Sequence, residues 1–531
     1  MYENFATILE VVADVRTDHV AIIQGDVQRT WGELDDRASR LARHLREQGV
    51  GHGGRVAVSL YNGPAYVETI LAILKVRAAP VNVNYRYHAR EIRELLEDSG
   101  AAAYVLDAAL SADVATAIDG LDAPPALVRL GVPDAPDPLD GRATDYAAAL
   151  LADPLPRERR SGDDEWLMFT GGTTGRPKGV RNRQTVLYGI ASGNGFDSRG
   201  ESPPEDLDEL RETTQRLTDT DDRLVMLIAP PLIHATGLYG TLGTLLTSGT
   251  VVFLAGRRYD PDELGRTAEK HRVTHMCLVG DVFCAPFADA LERHPYRLDD
   301  LKEIRSVGVT WSAGVKERLL RHLDVRLLDN IAASEGGPFA RSVTTRENGA
   351  ITSVFELLPN ARVITDDGRD VEPGEVGKLA APCEDDAQYM GDPEKSAATF
   401  RLIDGVRYTV PGDLATVQED GTLLLLGREG RVINTGGEKV YAEEVEGVIT
   451  KLPEVADVVV LGMPDEHWGH RVTAVVALEP GATLTEEDVQ NAVGAELAGY
   501  KKPRTVAFTA TVPRTPAGKL DLRQARALVS G

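Results

Sequence analysis

Residues 169–180 of this 531-residue chain run Phe-Thr-Gly-Gly-Thr-Thr-Gly-Arg-Pro-Lys-Gly-Val. Glycines at 171, 172, 175 and 179 let backbone amides turn toward a ligand. Thr170, Thr173 and Thr174 add hydroxyl donors, and Lys178 adds charge. From Trp166 to Phe196 there is no acid, while Arg176, Lys178, Arg181 and Arg183 fall within eight positions. These residue types in this order make a cradle for a polyphosphate, with a flexible basic surface loop as the plain alternative. The Gly-Lys-Ser/Thr ending of a Walker A loop is absent, and no Gly-x-Gly-x-x-Gly follows a strand, which disfavours a dinucleotide fold.

The surrounding composition gives this window its meaning. Lys+Arg total 58 and Asp+Glu 82, a net charge of −24, so a nucleic-acid backbone would be repelled. An anion handled by such a chain has to be held at a local exception to its own field. The length implies more than one folding unit, and 42% hydrophobic with 26% charged residues excludes a disordered or membrane-embedded chain. Cys277, Cys284 and Cys383 are too few for a disulfide framework and show no metal-cage spacing. The N-terminus lacks a basic-then-apolar leader pattern, and the uncharged stretch Leu224–Gly256 is interrupted by Pro230, Pro231 and four glycines. A cytoplasmic protein without a membrane span is expected.

Working outward, the first 110 residues alternate between strand and helix patterns. Thr30-Trp-Gly-Glu33 is a capping box ahead of a helix with Leu34, Ala38, Leu41 and Leu45 on one face. Strands are predicted at 55–61, 80–85 and 103–107, and helices at 65–76 and 88–98. Residues 108–163, rich in Ala, Asp and Pro, are expected to form peripheral helices and loops. The segment 197–222 carries ten acids against three arginines and reads as a solvated, helix-bearing insertion. A second α/β series follows, with strands at 224–229, 250–255, 273–279, 304–309 and 325–328. Beyond about 430 come strands at 455–462, 471–478 and 505–509 and a helix at 486–497. The expected fold is α/β: a large multi-subdomain body with mainly parallel sheets (residues 1–430) and a small mobile α+β C-terminal domain (431–531).

With these motifs in order, the chain resembles the adenylate-forming enzymes: acyl-CoA synthetases, firefly luciferases and peptide-synthetase adenylation domains. The glycine-threonine loop is similar to that family's phosphate-binding signature. VNVNYRY (81–87), VGDVF (279–283) and INTGGEKVYAEEVE (433–446) look closest to the actinobacterial fatty-acyl and steroid-side-chain CoA ligase branch.

The resemblance implies roles for residues outside the loop. Glu335, in Asn330-Ile-Ala-Ala-Ser-Glu-Gly-Gly337, stands where the family holds Mg²⁺, joined in the loop by Thr174. Asn330, Ile331, Ala332 and Ser334 would wall the adenine, although Ile331 and Ala332 replace the usual aromatic-glycine pair. Asp413, after Pro411-Gly412, would accept from both ribose hydroxyls, and Arg428 would be a second nucleotide contact. Arg431 marks the hinge within a residue or two. Lys519, in Pro513-Arg-Thr-Pro-Ala-Gly-Lys519, matches the catalytic lysine that steadies a carboxylate approaching an α-phosphate. His234, Gly308, Val309 and Trp311 would line the acyl pocket, with Gly308 allowing close approach and core packing the simpler role for Trp311. Amino-acid-activating relatives carry an aspartate where His234 stands, so an α-amino acid is disfavoured. Gly436 and Gly437 would flank a pantetheine tunnel, with Lys439 and Lys501 as phosphate partners.

The resemblance thus implies ATP- and Mg²⁺-dependent activation of a carboxylic acid as acyl-AMP, then thioester formation with CoA. A free-standing ligase loading a carrier protein and a diazotase activating nitrite for an aryl amine share the same motifs and stay open. A non-catalytic nucleotide-binding protein is the alternative of a different class. The sequence does not distinguish a fatty, steroidal or aromatic acid, nor a monomer from a homodimer.

Overall fold

The computed structural model describes the chain except residues 133–135, 172–176, 221–222, 309–310, 350–353, 429–430, 436–437, 466–468, 498, 515–519 and 530–531; within elements, the side chains of 171, 194, 197–198, 428, 434, 438–439 and 469 are also left out. Two compact units divide it. One comprises Met1–Leu278, Ala290–Arg305 and Glu384–Ala397, the other Val279–Asp289, Ser306–Cys383 and Ala398–Gly531.

The first unit holds a five-stranded parallel sheet in the order Ala79–Asn82, Arg55–Ser59, Ala103–Asp107, Ala126–Leu130, Ala143–Asp145. Parallel neighbours need crossover connections, supplied here by helices such as Pro64–Lys75 and Ala89–Ser99. Two of these strands correct the expectation for 108–163. Ala126–Leu130 buries Leu127 and Val128, and Arg129 next to them is held by Asp137 at 2.8 Å and Asp145 at 3.1 Å. That arginine breaks the apolar run by which a covered parallel strand is usually recognised.

A second sheet in this unit orders Val27–Thr30, Val20–Gln24, Thr250–Phe253, Val225–Ile228 and His275–Leu278, parallel except at the hairpin edge. The capping box forms as expected: Glu33 N–H donates to Thr30 Oγ1 at 3.2 Å, and Thr30 N–H donates to Glu33 Oε2 at 2.9 Å. A third, antiparallel sheet pairs Glu165–Gly171 with Pro177–Arg183 and adds Gln388–Tyr389 on the far edge.

In the second unit, strands from Arg326–Ala333 to Val406–Thr409 form an antiparallel run, of which the sequence patterns assign only the start, at 325–328. Residues 432–509 contribute a separate five-stranded sheet whose longest pair is Val455–Asp465 and Gly469–Leu478. Its period-two alternation sends Val458, Val460, Ala474 and Val476 to one core with helices Ala442–Ile449 and Glu486–Glu496. Val459, Leu461, Val475 and Ala477 face the other side with Ala525 of the helix Leu522–Leu528. Both faces are covered, so the strands read as unbroken apolar runs. Among the described residues, no helix is long and apolar enough to cross a membrane.

Candidate functional site

The glycine-threonine loop belongs to the third sheet of the first unit. Glu165–Gly171 pairs with Pro177–Arg183 so that Thr170 lies opposite Lys178 and Gly171 opposite Pro177. Gly172, Thr173, Thr174, Gly175 and Arg176 lie outside the described residues. Glycine is required at 179 by close approach. A Cβ there would stand 2.9 Å from the Phe169 ring and 3.0 Å from Met390 Sδ, tighter than packing allows.

The window without acids in sequence is not without acids in space. Arg181 pairs with Glu165 at 2.9 Å, one residue before the window begins. Arg183 pairs with Asp386 at 2.9 Å, and Lys178 pairs closely with Asp392. The last two acids come from Glu384–Ala397, whose short strand extends the same sheet. Asp392 escaped the sequence reading because its partner is 214 positions away. The Lys178 ammonium, followed by the Lys395 backbone amide, holds the Asp392 carboxyl below its ordinary range.

Two asparagines, likewise missed, build the His234 loop from strand ends of the parallel sheet. Asn82 ends its strand and donates from Nδ2 to the carbonyls of Phe169 and Ile233, both at 2.8 Å. Its Oδ1 accepts the Phe169 N–H at 2.7 Å. Asn62 donates to the Pro230 carbonyl at 2.9 Å and accepts Leu232 N–H at 2.8 Å. Gly237 fits beneath because a Cβ would collide with the Pro230 and Pro231 carbonyl oxygens at 2.6 and 2.7 Å. His234 occupies the N-cap position of the helix Ala235–Leu246 without a side-chain cap bond, and is partly exposed. One asparagine thus ties the entry to the glycine-threonine loop and the loop bearing His234 together.

In the second unit, Arg326–Ala333 and Gly336–Thr344 form a hairpin with Ala333 opposite Gly336, leaving Ser334 and Glu335 at its two-residue tip. Asn330 is buried, its Oδ1 accepting from Arg341 Nε at 3.2 Å, while Ile331 and Ala332 are half-buried. Gly336 has φ +153°, and a Cβ there would stand 2.5 Å from Thr409 Cγ2. This close approach brings the Glu335 tip to the strand end that precedes Asp413. Asp413 is register-paired with Arg428, so the two sequence-predicted nucleotide positions stand opposite each other on adjacent strands. The Arg428 side chain is outside the described residues.

The segment around Gly308 and Trp311 belongs to the second unit. Gly308 has φ +89°, and no described atom lies within 4 Å of where its Cβ would be. That left-handed backbone favours glycine, and the space beside it is open. Val309 is outside the described residues. Trp311 is buried to 1% exposure, with Lys316 Nζ 5.4 Å from its ring centroid. Lys316 is itself fully buried and pairs with Asp329 at 3.1 Å. Asp281 accepts the Ser312 N–H at 2.9 Å, and burial raises its carboxyl; burial likewise pushes Asp329 up to about 6 against the pull of Lys316. This buried group holds the wall segment in place.

In the C-terminal segment Arg431 is locked within the second unit. It donates to Glu443 at 2.6 Å, to Glu446 at 2.5 Å and to the Val460 carbonyl at 3.1 Å. Burial pushes the Glu443 carboxyl up to about 7 despite that arginine. Lys501 donates to both oxygens of Glu444, at 2.6 and 2.7 Å. Lys439 pairs with Asn434 in a strand, but its side chain, Gly436, Gly437 and Lys519 lie outside the described residues.

Comparison with known proteins adds to this geometry. The AMP-binding enzyme family matches residues 9–381, and the AMP-binding enzyme C-terminal domain matches 444–519. The chain is 35% identical to the 3-oxocholest-4-en-26-oate--CoA ligase of Rhodococcus rhodochrous, over 98% of this chain and 95% of that protein. It is 36% identical, over the same shares, to a medium/long-chain-fatty-acid--CoA/3-oxocholest-4-en-26-oate--CoA ligase of Mycobacterium tuberculosis. Among solved structures, the anthranilate CoA ligase AuaEII with anthranoyl-AMP superposes with a TM-score of 0.83 at 20% identity, covering 99% of this chain and 97% of that one.

Proposed function

The chain belongs to the AMP-binding enzyme family, and from that premise we propose that it joins a carboxylic acid to CoA at the expense of ATP. The single observation that carries this is likeness to CoA ligases over 98% of the chain, at 35% identity. The pairing of Asp413 with Arg428, and the Glu335 tip beside the strand that leads to Asp413, support it from the structure.

In the first half-reaction a carboxylate oxygen attacks the α-phosphorus of ATP, the bond to the β-phosphate oxygen breaks, and pyrophosphate leaves. Acyl-AMP is the product. Thr170, Gly171–Gly175 and Lys178 take the polyphosphate, while Asn330, Ile331, Ala332 and Ser334 bound the base. Asp413 and Arg428 hold the ribose, and the Lys519 ammonium offsets the charge of two approaching anions. In the second half-reaction the CoA thiol, losing its proton, attacks the acyl carbonyl and AMP leaves. Residues 431–531 act as a cap that turns between the two steps, with Gly436, Gly437, Lys439 and Lys501 toward CoA.

Mg²⁺ suits this donor set. Among the described residues no three His, Cys, Asp or Glu groups converge as a protein cage. Mg²⁺ typically binds through one or two carboxylates and the phosphates of its nucleotide. Glu335 and Thr174 would hold it, and when bound it neutralises phosphate charge.

His234, Gly308, Val309 and Trp311 belong to the acid side, and the activities of the relatives favour a fatty or steroidal side-chain acid. The three cysteines form no disulfide, which suits a cytoplasmic setting. A pyrophosphate-release screen over fatty, steroidal, aromatic and amino acids and nitrite, with and without CoA, tests the proposal. Acyl-CoA formation from an apolar acid supports it. Nitrite-dependent release without CoA, acyl transfer only to a carrier protein, or activity with amino acids alone contradicts it.

A further inference from the structure

Lys178 leaves the glycine-threonine loop on a strand whose free edge is covered by Gln388–Tyr389, with Tyr389 opposite Val180. Met390 N–H donates to the Gly179 carbonyl at 2.8 Å, which fixes the register of the turn that follows. That turn presents Asp392, and its carboxylate pairs with the Lys178 ammonium; the two side chains are 24% and 27% exposed. Asp392 is not free to swing. Its Oδ1 accepts the Lys395 N–H at 2.9 Å, and its backbone carbonyl accepts the Ser396 hydroxyl at 2.6 Å. The Ser396 hydroxyl in turn accepts the Tyr389 N–H at 2.9 Å.

The neighbouring cations have their own carboxylates, Glu165 for Arg181 and Asp386 for Arg183. Asp392 therefore serves Lys178 specifically. We propose that Asp392 is a positioning residue for the nucleotide, holding the Lys178 ammonium at the foot of the loop so that an incoming polyphosphate meets a cation already in place. This rests on the reading that the loop takes ATP.

An ammonium has three donors, so one bond to Asp392 leaves others for phosphate oxygens. A lysine with no such partner would lose its rotamer freedom at the moment of binding, and that loss would weaken affinity. The carboxylate's repulsion of phosphate is offset in part by a second cation, Lys395, whose charge also acts on Asp392. A carboxylate acting instead as a competitor for Lys178 would change affinity in the opposite direction when removed.

The experiment is calorimetric titration of the full chain with Mg·ATP in the absence of acid, for wild type, Asp392→Asn, Asp386→Asn, Lys178→Ala and the Lys178→Ala/Asp392→Asn pair. Asp392→Asn is expected to weaken binding about five- to thirty-fold. Asp386→Asn, which removes one of the two carboxylates paired with Arg183, is expected to leave it unchanged, and Asp392→Asn is expected to add nothing once Lys178 is alanine. Unchanged or tighter binding in Asp392→Asn, an equal loss in Asp386→Asn, or an undiminished loss in the Lys178→Ala background overturns the inference alone. Absence of ATP binding by the wild type overturns the nucleotide reading of the loop as well.

Discussion

Asn82 closes a two-way amide clamp on Phe169, donating to its carbonyl at 2.8 Å and accepting its N–H at 2.7 Å. The same Nδ2 reaches the Ile233 carbonyl at 2.8 Å, one residue before His234. A single side chain at the end of a parallel strand therefore sets both the strand entering the glycine-threonine loop and the loop bearing His234.

Replacing Asn82 by alanine leaves an N–H and two carbonyls without their partner. Each unsatisfied group costs about 1–3 kcal/mol. The expected outcome is a rise in KM for both ATP and the acid, with a fall in kcat, in steady-state assays. Asn82→Asp, which keeps the acceptor but loses the donor, should fall between wild type and alanine. A change confined to ATP would break the link between the two loops.

The Lys316–Asp329 pair gives a stability prediction. Removing one partner of a buried ion pair typically costs about 3–5 kcal/mol, because the other charge is left uncompensated. Lys316→Met should therefore lower the unfolding midpoint, and Lys316→Met/Asp329→Asn should recover most of the loss. The sign with pH follows from Asp329, whose folded value of about 6 lies above its ordinary one. Such a raised carboxyl favours the folded state at low pH, and that contribution fades as pH rises from about 4 to about 6. The deficit of Lys316→Met should accordingly be smaller in acid.

His275 works in the opposite sense. Burial lowers its imidazole to about 4, with Glu303 pulling upward and Arg305, Lys302 and Arg199 pushing down. Its ring accepts or donates at Thr274 Oγ1 at 2.9 Å. An unfolded chain protonates this group near its ordinary value and the folded chain does not, so stability is lost as pH falls from about 6.5 to about 4. The loss reaches up to about 3 kcal/mol. His275→Gln should flatten the difference in thermal midpoint between about pH 7 and about pH 5.

Local signals were legible in the sequence wherever the physics is local. The Thr30–Glu33 capping box spans three positions, and the alternation in 455–478 follows from a strand's period of two. Asp413 and Arg428 could each be singled out as motif positions, but only the strand register sets them opposite one another. The roles of Asp392 and Asn82 were not legible, since their partners are 214 and 87 positions away; Asn82 lies in the VNVNYRY stretch, but its clamp on Phe169 is set by strand packing. The same cause corrects the apparent positive exception at 166–196. Charge along the chain counts neighbours in sequence, whereas Glu165, Asp386 and Asp392 arrive through sheet pairing. The strand Ala126–Leu130 was hidden by Arg129, whose charge is compensated by two aspartates beyond the strand.

In the proposed reaction a carboxylate oxygen attacks the α-phosphorus of ATP. The most direct measurement supplies an apolar acid labelled with oxygen-18 in its carboxylate, together with ATP and CoA, and weighs the AMP by mass spectrometry. One labelled oxygen in each AMP, formed alongside acyl-CoA and absent in Lys519→Ala, is the predicted result. Unlabelled AMP, or thioester formed with ADP and phosphate as the other products, would contradict it.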